Sequence, residues 1–190
     1  AVGYEVTDEA GKVVADGFEA DKLVTEQLGG DRQLYLAAIA LLPGRYRVKL
    51  AGISAHGRRG SIEHEFSVPA SRAGALRMSG VFLGELSSKG FLPSPWLLPG
   101  TAALPVSIEI YADTPEAFAH AVVSLELARA SATPLARLTL SQKDSTDPRR
   151  KTASATLAIA SLPAGDYTVT AELQSENGRT IRRSRLFTKR

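Results

Sequence analysis

The sequence predicts an all-β protein made of two tandem β-sandwiches. Three observations predict it. Apolar side chains alternate with polar ones along several short segments. Turn residues punctuate those segments every dozen positions or fewer. And one Tyr-centred corner, "LLPGRYRVKL" at 41–50, returns as "LPAGDYTVTA" at 162–171.

The alternation is clearest in the second half. Leu104, Val106, Ile108 and Ile110 alternate with Pro105, Ser107, Glu109 and Tyr111. Val123, Leu125 and Leu127 form a second such run, and Tyr167, Val169, Ala171 and Leu173 a third. A period of two places one face in a core and the other in water, as in an antiparallel sheet. Turn signals stand at Glu9-Ala10-Gly11, Pro43-Gly44, His56-Gly57, Pro163-Ala164-Gly165 and Asn177-Gly178. Residues 114–121 suit a short helical turn, and no long helical pattern is present.

Tyr46 and Tyr167 stand 121 positions apart, and the same offset aligns other positions without a gap. Leu36 meets Leu157, Leu41 meets Leu162, Gly44 meets Gly165, and Val48 meets Val169. Gly57 meets Gly178, Arg58 meets Arg179, and Phe66 meets Phe187. Matches at turn glycines and inward-facing positions mean two copies of one domain, here 1–70 and 71–190. The second copy has seven candidate strands, near 76–86, 104–112, 121–128, 134–142, 152–161, 166–174 and 180–188. Seven short strands suit an immunoglobulin-like or fibronectin type III-like sandwich. The first copy holds counterparts of the last five, near 2–7, 12–18, 33–41, 45–54 and 59–68. It lacks the two N-terminal strands, so the fragment is expected to begin inside a domain, or a neighbouring chain or segment supplies them.

In this reading Gly44, Tyr46, Gly165 and Tyr167 are structural. The corner fits the tyrosine corner of such sandwiches, where the hydroxyl bonds back to the backbone. The glycines fit a turn with positive φ, and the prolines stiffen its entry. Residues 78–86 are apolar on both faces, with Met78 and Phe82 on one and Val81 and Leu83 on the other. They follow a short linker at 69–74, and their two-sided pattern predicts a fixed interface between the domains.

Composition bounds the function. The chain has 190 residues, with 23 Lys and Arg against 20 Asp and Glu, for a formal charge of +3. That small excess favours solubility and is only a weak pointer to an acidic partner. There is no cysteine, which removes disulfides and thiolate chemistry. The longest apolar run, 34–42, is far short of the ~20 residues of a spanning helix, so no membrane insertion is expected. The sequence starts at Ala1, which reads as a processed or excised piece of something longer.

No catalytic pattern emerges. There is no G-x-S-x-G elbow, G-x-G-x-x-G loop or P-loop. His56, His64 and His120 form no metal-ligand spacing, and Glu63 and Glu65 point away from His64 on a strand. The reading is therefore not an enzyme, with no cofactor and no metal site. The basic stretch "RTIRRSRLFTKR", joined by Arg149, Arg150 and Lys151, reads as a solvated strand, since no aromatic platform accompanies it; no nucleic acid is expected. "FLPSPWLLPG" at 91–100 carries the only Trp and three prolines. Its Phe91, Trp96 and Leu97 either pack onto the sandwich or contact a protein partner.

The runs "LPGRYRVKLAGISAHGRRGSIEHEF", "RMSGVFLGE", "LPVSIEIYAD" and "LPAGDYTVTAEL" resemble the C-terminal β-rich region of acidobacterial von Willebrand factor A-related proteins. The resemblance implies tandem immunoglobulin/fibronectin type III-like domains in an exported, extracytoplasmic bacterial protein. The metal-dependent adhesion site of that family belongs to an upstream domain with a D-x-S-x-S pattern. Asp144-Ser145-Thr146-Asp147 does not match it, so no functional residue carries over. The expected function is a structural or protein-interaction module. The alternative is a carbohydrate-binding accessory module using Trp96, Phe91 and Tyr111 as a platform.

Overall fold

The computed structural model describes residues 1–19, 35, 37, 39–70, 76–87, 90–94, 97, 100–129, 133–176 and 178–190. The described residues are all-β apart from one 3-10 turn and form three antiparallel sheets. It divides into two compact units, Ala1–Ser71 and Arg72–Arg190.

Among its described residues, unit 1 holds one four-stranded sheet in the order β2-β1-β3-β4, built from β1 (Val2–Asp8), β2 (Val13–Glu19), β3 (Gly44–Ile53) and β4 (Arg59–Val68). Gly11 adopts φ 78° in the β1–β2 turn, and the Asp8 carboxylate accepts the Ala10 and Lys12 amides at 3.0 and 2.9 Å. One face carries Val2, Tyr4, Val6, Tyr46, Val48, Leu50 and Phe66. Of the strand expected near 33–41, residues 33, 34, 36 and 38 lie outside the described residues. The described ones, 35, 37 and 39–41, form no strand.

Unit 2 has two sheets. The first, β10-β9-β13-β14, comprises β9 (Val122–Arg129), β10 (Pro134–Thr139), β13 (Gly165–Gln174) and β14 (Thr180–Lys189). The second runs β11-β12-β8-β6-β7 through β11 (Ser141–Asp144), β12 (Arg150–Ala158), β8 (Ala103–Tyr111), β6 (Phe82–Ser87) and β7 (Gly90–Pro93). A two-residue strand, β5 (Arg77–Met78), pairs with the end of β8. The alternating runs of β8, β9 and β13 meet in one core. Leu104, Val106, Ile108 and Ile110 are within 1% of full burial, as are Val123, Leu125, Val169, Ala171 and Leu173. Each such branched side chain stabilises by about 1.5–3 kcal/mol. A 3-10 turn, Pro115–Phe118, caps this core with Phe118.

Unit 2 therefore has more strand segments than the seven expected, for three local reasons. The run near 76–86 is broken by a bulge. Met78 pairs with Ile110 and Phe82 with Ser107, so β5 and β6 span one residue more than β8 does. The extra residue reverses the facing of the side chains after it. Met78, Val81 and Leu83 consequently all enter the core, while Phe82 is exposed. Met78, Val81 and Leu83, three of the four apolar side chains behind the expected domain contact, are thus used within unit 2. Ser79 holds the bulge: its amide donates to the Glu109 carbonyl at 2.9 Å, and its hydroxyl accepts the Glu109 amide at 2.9 Å. The run near 134–142 changes sheets at buried Leu140, pairing first with β9 and then with β12. Finally, β7 folds back on β6 through a turn at Gly90, φ 112°.

The repeat is exact in register across the offset of 121. β13 and β14 match β3 and β4 residue for residue. Tyr46 pairs with Asp8 and Phe66, and Tyr167 pairs with Arg129 and Phe187. Gly57 and Gly178 turn the corresponding hairpins at φ 75° and 74°. In each, the glycine amide donates to a serine carbonyl, of Ser54 or Ser175, at 3.0 Å.

Gly84 sits where β6 meets β7. A Cβ there would collide with the Leu92 carbonyl, which is backbone and cannot rotate away. Gly84→Ala is expected to cost about 1–3 kcal/mol in chemical denaturation. Gly80→Ala, which meets nothing within 4 Å, serves as the near-neutral control.

Candidate functional site

The two repeated tyrosines are built alike. Tyr167 stands on β13 with no exposed surface, and its hydroxyl donates to the Pro163 carbonyl at 2.7 Å. Its ring stacks on Phe187, with centroids 5.5 Å apart. Tyr46 donates to the Leu42 carbonyl at 2.6 Å and lies 5.8 Å from the Phe66 ring. Both phenols are used to hold the chain that enters their own strand.

The two glycines differ. Gly165 adopts φ 148°, a region open to glycine. Gly44 lies outside the positive-φ range, contrary to the expectation of a left-handed turn. A Cβ on Gly44 would lie 3.3 Å from the Tyr46 hydroxyl, so the residue is small to let the ring fold back. Unit 2 adds a clamp that unit 1 lacks. The Lys189 ammonium donates to the carbonyls of Ile159, Ala160 and Leu162 at 2.5, 2.8 and 2.6 Å, just before the corner. The equivalent position in unit 1 is Val68. Reading the sequence alone missed Lys189, which looked like one more member of the basic terminus.

The remaining polar groups are mostly engaged with one another. Beside β8, the Tyr111 hydroxyl donates to the Glu109 carboxylate, which also faces Arg150 at 3.3 Å. Arg77 pairs with Asp113 at 3.0 Å. Burial, then the bond to Glu109, pushes the Tyr111 phenol up to about 12. Glu63 and Glu65 pair with Lys49 and Arg47 at 3.3 and 2.8 Å on one face of unit 1, while His64 lies on the other. His120 stands 3.5 Å from Glu176, exposed. Among the described residues no group of three His, Cys, Asp or Glu is placed to hold a metal ion.

Several cations of the basic stretches are also occupied: Lys151 with Asp144 at 3.2 Å, Arg182 with Glu172 at 2.7 Å, and Arg150 as above. An open cavity of about 710 Å³ lies at one end of unit 1. Its charged lining is paired internally, Arg45 with Glu9 at 3.6 Å and Arg47 with Glu65.

Of the candidate contact residues, Leu97 packs against the core of unit 2. Phe91 is half-buried on β7, opposite Leu86. Trp96 lies outside the described residues. Phe91 and Tyr111 are not brought together. β6 runs antiparallel to β8, which places Leu86 and Phe91 toward the Ala103 end. Tyr111 is at the other end of β8, about 27 Å away at ~3.4 Å per residue.

No protein-family model and no curated protein matches the chain. Among solved structures it is similar to a tetra-tandem repeat in the extending region of a large adhesion protein, at 23% identity and TM-score 0.36; the match covers 100% of this chain and 41% of that one. It is also similar to the Bacteroides ovatus mixed-linkage glucan utilization locus protein SGBP-B, solved with a mixed-linkage heptasaccharide. That match has 16% identity and TM-score 0.25, over 98% and 36% of the chains. A third is BcpA, the major pilin subunit of Bacillus cereus, at 9% identity and TM-score 0.23, over 99% and 64%. The chain spans less than two thirds of each.

Tyr167→Phe removes the donor to the Pro163 carbonyl from a ring with no exposed surface and should cost about 1–2 kcal/mol. Tyr46→Phe should cost less, because water reaches that corner; urea unfolding of each variant measures both. For Tyr111, the folded pKa lies above the ordinary value of 10.0. The fold thus holds the proton more tightly, and this stability is complete below pH 10 and lost as pH rises toward 12. Urea unfolding over that range should show the loss, and Tyr111→Phe should flatten it.

Proposed function

We propose that this chain is a non-catalytic structural and protein-interaction module of an exported bacterial protein, built on immunoglobulin-like sandwich domains. The observation that carries the reading is the same Tyr-anchored sheet made twice in one register. A repeated, hydroxyl-locked corner is a device for holding strands in place, and the tyrosine corner of immunoglobulin-like domains has this form. Both phenols bond to backbone carbonyls in the chain just ahead of their own strands. The Glu109 carboxylate is bound to Arg150 and Tyr111, and the Asp113 carboxylate to Arg77.

The extracytoplasmic placement rests on the resemblance to the β-rich region of von Willebrand factor A-related proteins. The carbohydrate-binding alternative gains nothing from Phe91 and Tyr111, which stand too far apart to stack on one short glycan.

A panel of glycosidase, esterase and peptidase substrates should show no turnover above buffer. Turnover lost on Glu109→Gln or Asp113→Asn would overturn the reading. A glycan array should stay blank; a hit weakened by Phe91→Ala or Tyr111→Ala would favour the carbohydrate module.

A further inference from the structure

We propose that the free edge of β14 is a docking site for an extended segment of a partner protein that carries carboxylates at two alternate positions. The segment adds a strand to the sheet, and Arg183 and Arg185 select it by charge.

The edge is long and its ladder groups are open. β14 ends the β10-β9-β13-β14 sheet, and its ten residues pair with β13 in one unbroken register. The Ser175 amide donates to the Arg179 carbonyl at 3.0 Å, which makes theirs a hydrogen-bonded pair. Bonded and unbonded pairs alternate along an antiparallel ladder. Counted from Ser175 and Arg179, it is Ile181, Arg183, Arg185 and Phe187 that exchange bonds with β13. The amides and carbonyls of Arg182, Ser184 and Leu186 therefore point away from the sheet. The Arg182 carbonyl agrees, since it accepts the Arg183 guanidinium at 3.0 Å, as an outward group can. Residues 182–186 are all exposed. Among the described residues no strand pairs with this side of β14.

Charge selects the occupant. Arg183 and Arg185 lie opposite Ala171 and Val169, on the face that turns Ile181 and Phe187 toward the core. Periodicity calls for aliphatic side chains at these two positions. The fold does not require arginine there, because the same places in the first copy hold Ile62 and His64. Neither guanidinium has a carboxylate partner among the described residues, whereas Arg182, on the outer face, is held by Glu172. The two arginines are set about 6.8 Å apart along the strand, the spacing of side chains at i and i+2 of an added one. Carboxylates at those positions face both cations, and opposite charges across a strand pair are favourable where like charges are not. A second β14 would set arginine against arginine. The pair that admits an acidic strand thus keeps copies of this edge apart. Main-chain bonds supply the hold and the alternate side chains the choice, as in other strand additions.

This inference rests on the interaction-module reading and names the chemistry of the partner. Turnover in the substrate panel would sink that reading without touching peptide binding at β14, so the two fail separately. The probe is the end-blocked peptide Lys-Thr-Val-Glu-Thr-Glu-Val-Thr-Lys, which carries no net charge, added to the full chain at millimolar concentration. Hydrogen exchange at the Arg182, Ser184 and Leu186 amides should slow by about tenfold. A peptide with Gln for both Glu, or with the two Glu moved to adjacent positions, should bind about fivefold more weakly or worse. Arg183→Gln with Arg185→Gln should erase the difference between the Glu and Gln peptides. Leu186→Pro removes an outward amide that the β13 ladder does not use, and should block both.

Unchanged exchange at the three amides would overturn the proposal. Equal binding of the Glu and Gln peptides would overturn it as well, because the edge would then lack selection by charge. So would a parent chain that sediments as a dimer and becomes monomeric with Leu186→Pro, which makes a second copy the occupant. Circular dichroism reports the fold of each variant, and the peptide comparisons on the parent chain decide the matter even if a variant fails to fold.

Discussion

The facing of two alternating strand layers organises unit 2. β8 on one side, and β9 with β13 on the other, present aliphatic side chains at every second position, and these meet in a single cluster. Antiparallel sheets with one wet face need this arrangement, because an apolar face left in water forfeits the main favourable term in folding. The bulge, the sheet switch and the corner clamp of this unit all serve the closing of that cluster. Unit 1 repeats the sheet in the same register, with Val6 and Tyr46 buried and Val2, Tyr4, Val48 and Leu50 half-buried on its inner face.

Around this contact the chain uses local devices that recur. The hairpins at Gly57 and Gly178 share one left-handed glycine and one serine carbonyl acceptor. The corners at Tyr46 and Tyr167 share a phenol that reaches back four residues. What differs is the support. Tyr167 is fully buried, and Lys189 ties three carbonyls ahead of it to the last strand. Tyr46 has no such clamp from Val68. The outer faces differ less. Cross-strand pairs such as Arg47 with Glu65 and Arg182 with Glu172 ladder both sheets, and exposed pairs of this kind add little stability. They keep long strands soluble, which matters for β4 and β14 at the sheet edges.

Much of this was readable in advance, and the failures share a cause. The alternation at 104–110 and 167–173 identifies inward residues because side chains on a strand change face at every step. That rule holds only while pairing is regular. At Ser79 one extra residue reverses it, so Met78 and Leu83 share a face that strict counting assigns to opposite sides. At Leu140 one apparent strand belongs to two sheets. Gly44 invited a backbone explanation, yet its smallness makes room for the ring two residues on. Phe91 and Tyr111 looked like partners in one aromatic platform, and strand direction sets them at opposite ends of β8.

The all-β class, the inward faces of regular strands, the repeated corner and its offset were all legible from the residues alone. These depend on local periodicity and on residues whose backbone or ring geometry acts over a few positions. Which strands share a sheet, where the bulge falls and that Lys189 clamps a turn thirty residues away emerged from the three-dimensional arrangement alone. Those outcomes are set by pairing between distant segments, whose register depends on which apolar faces find a partner to bury against.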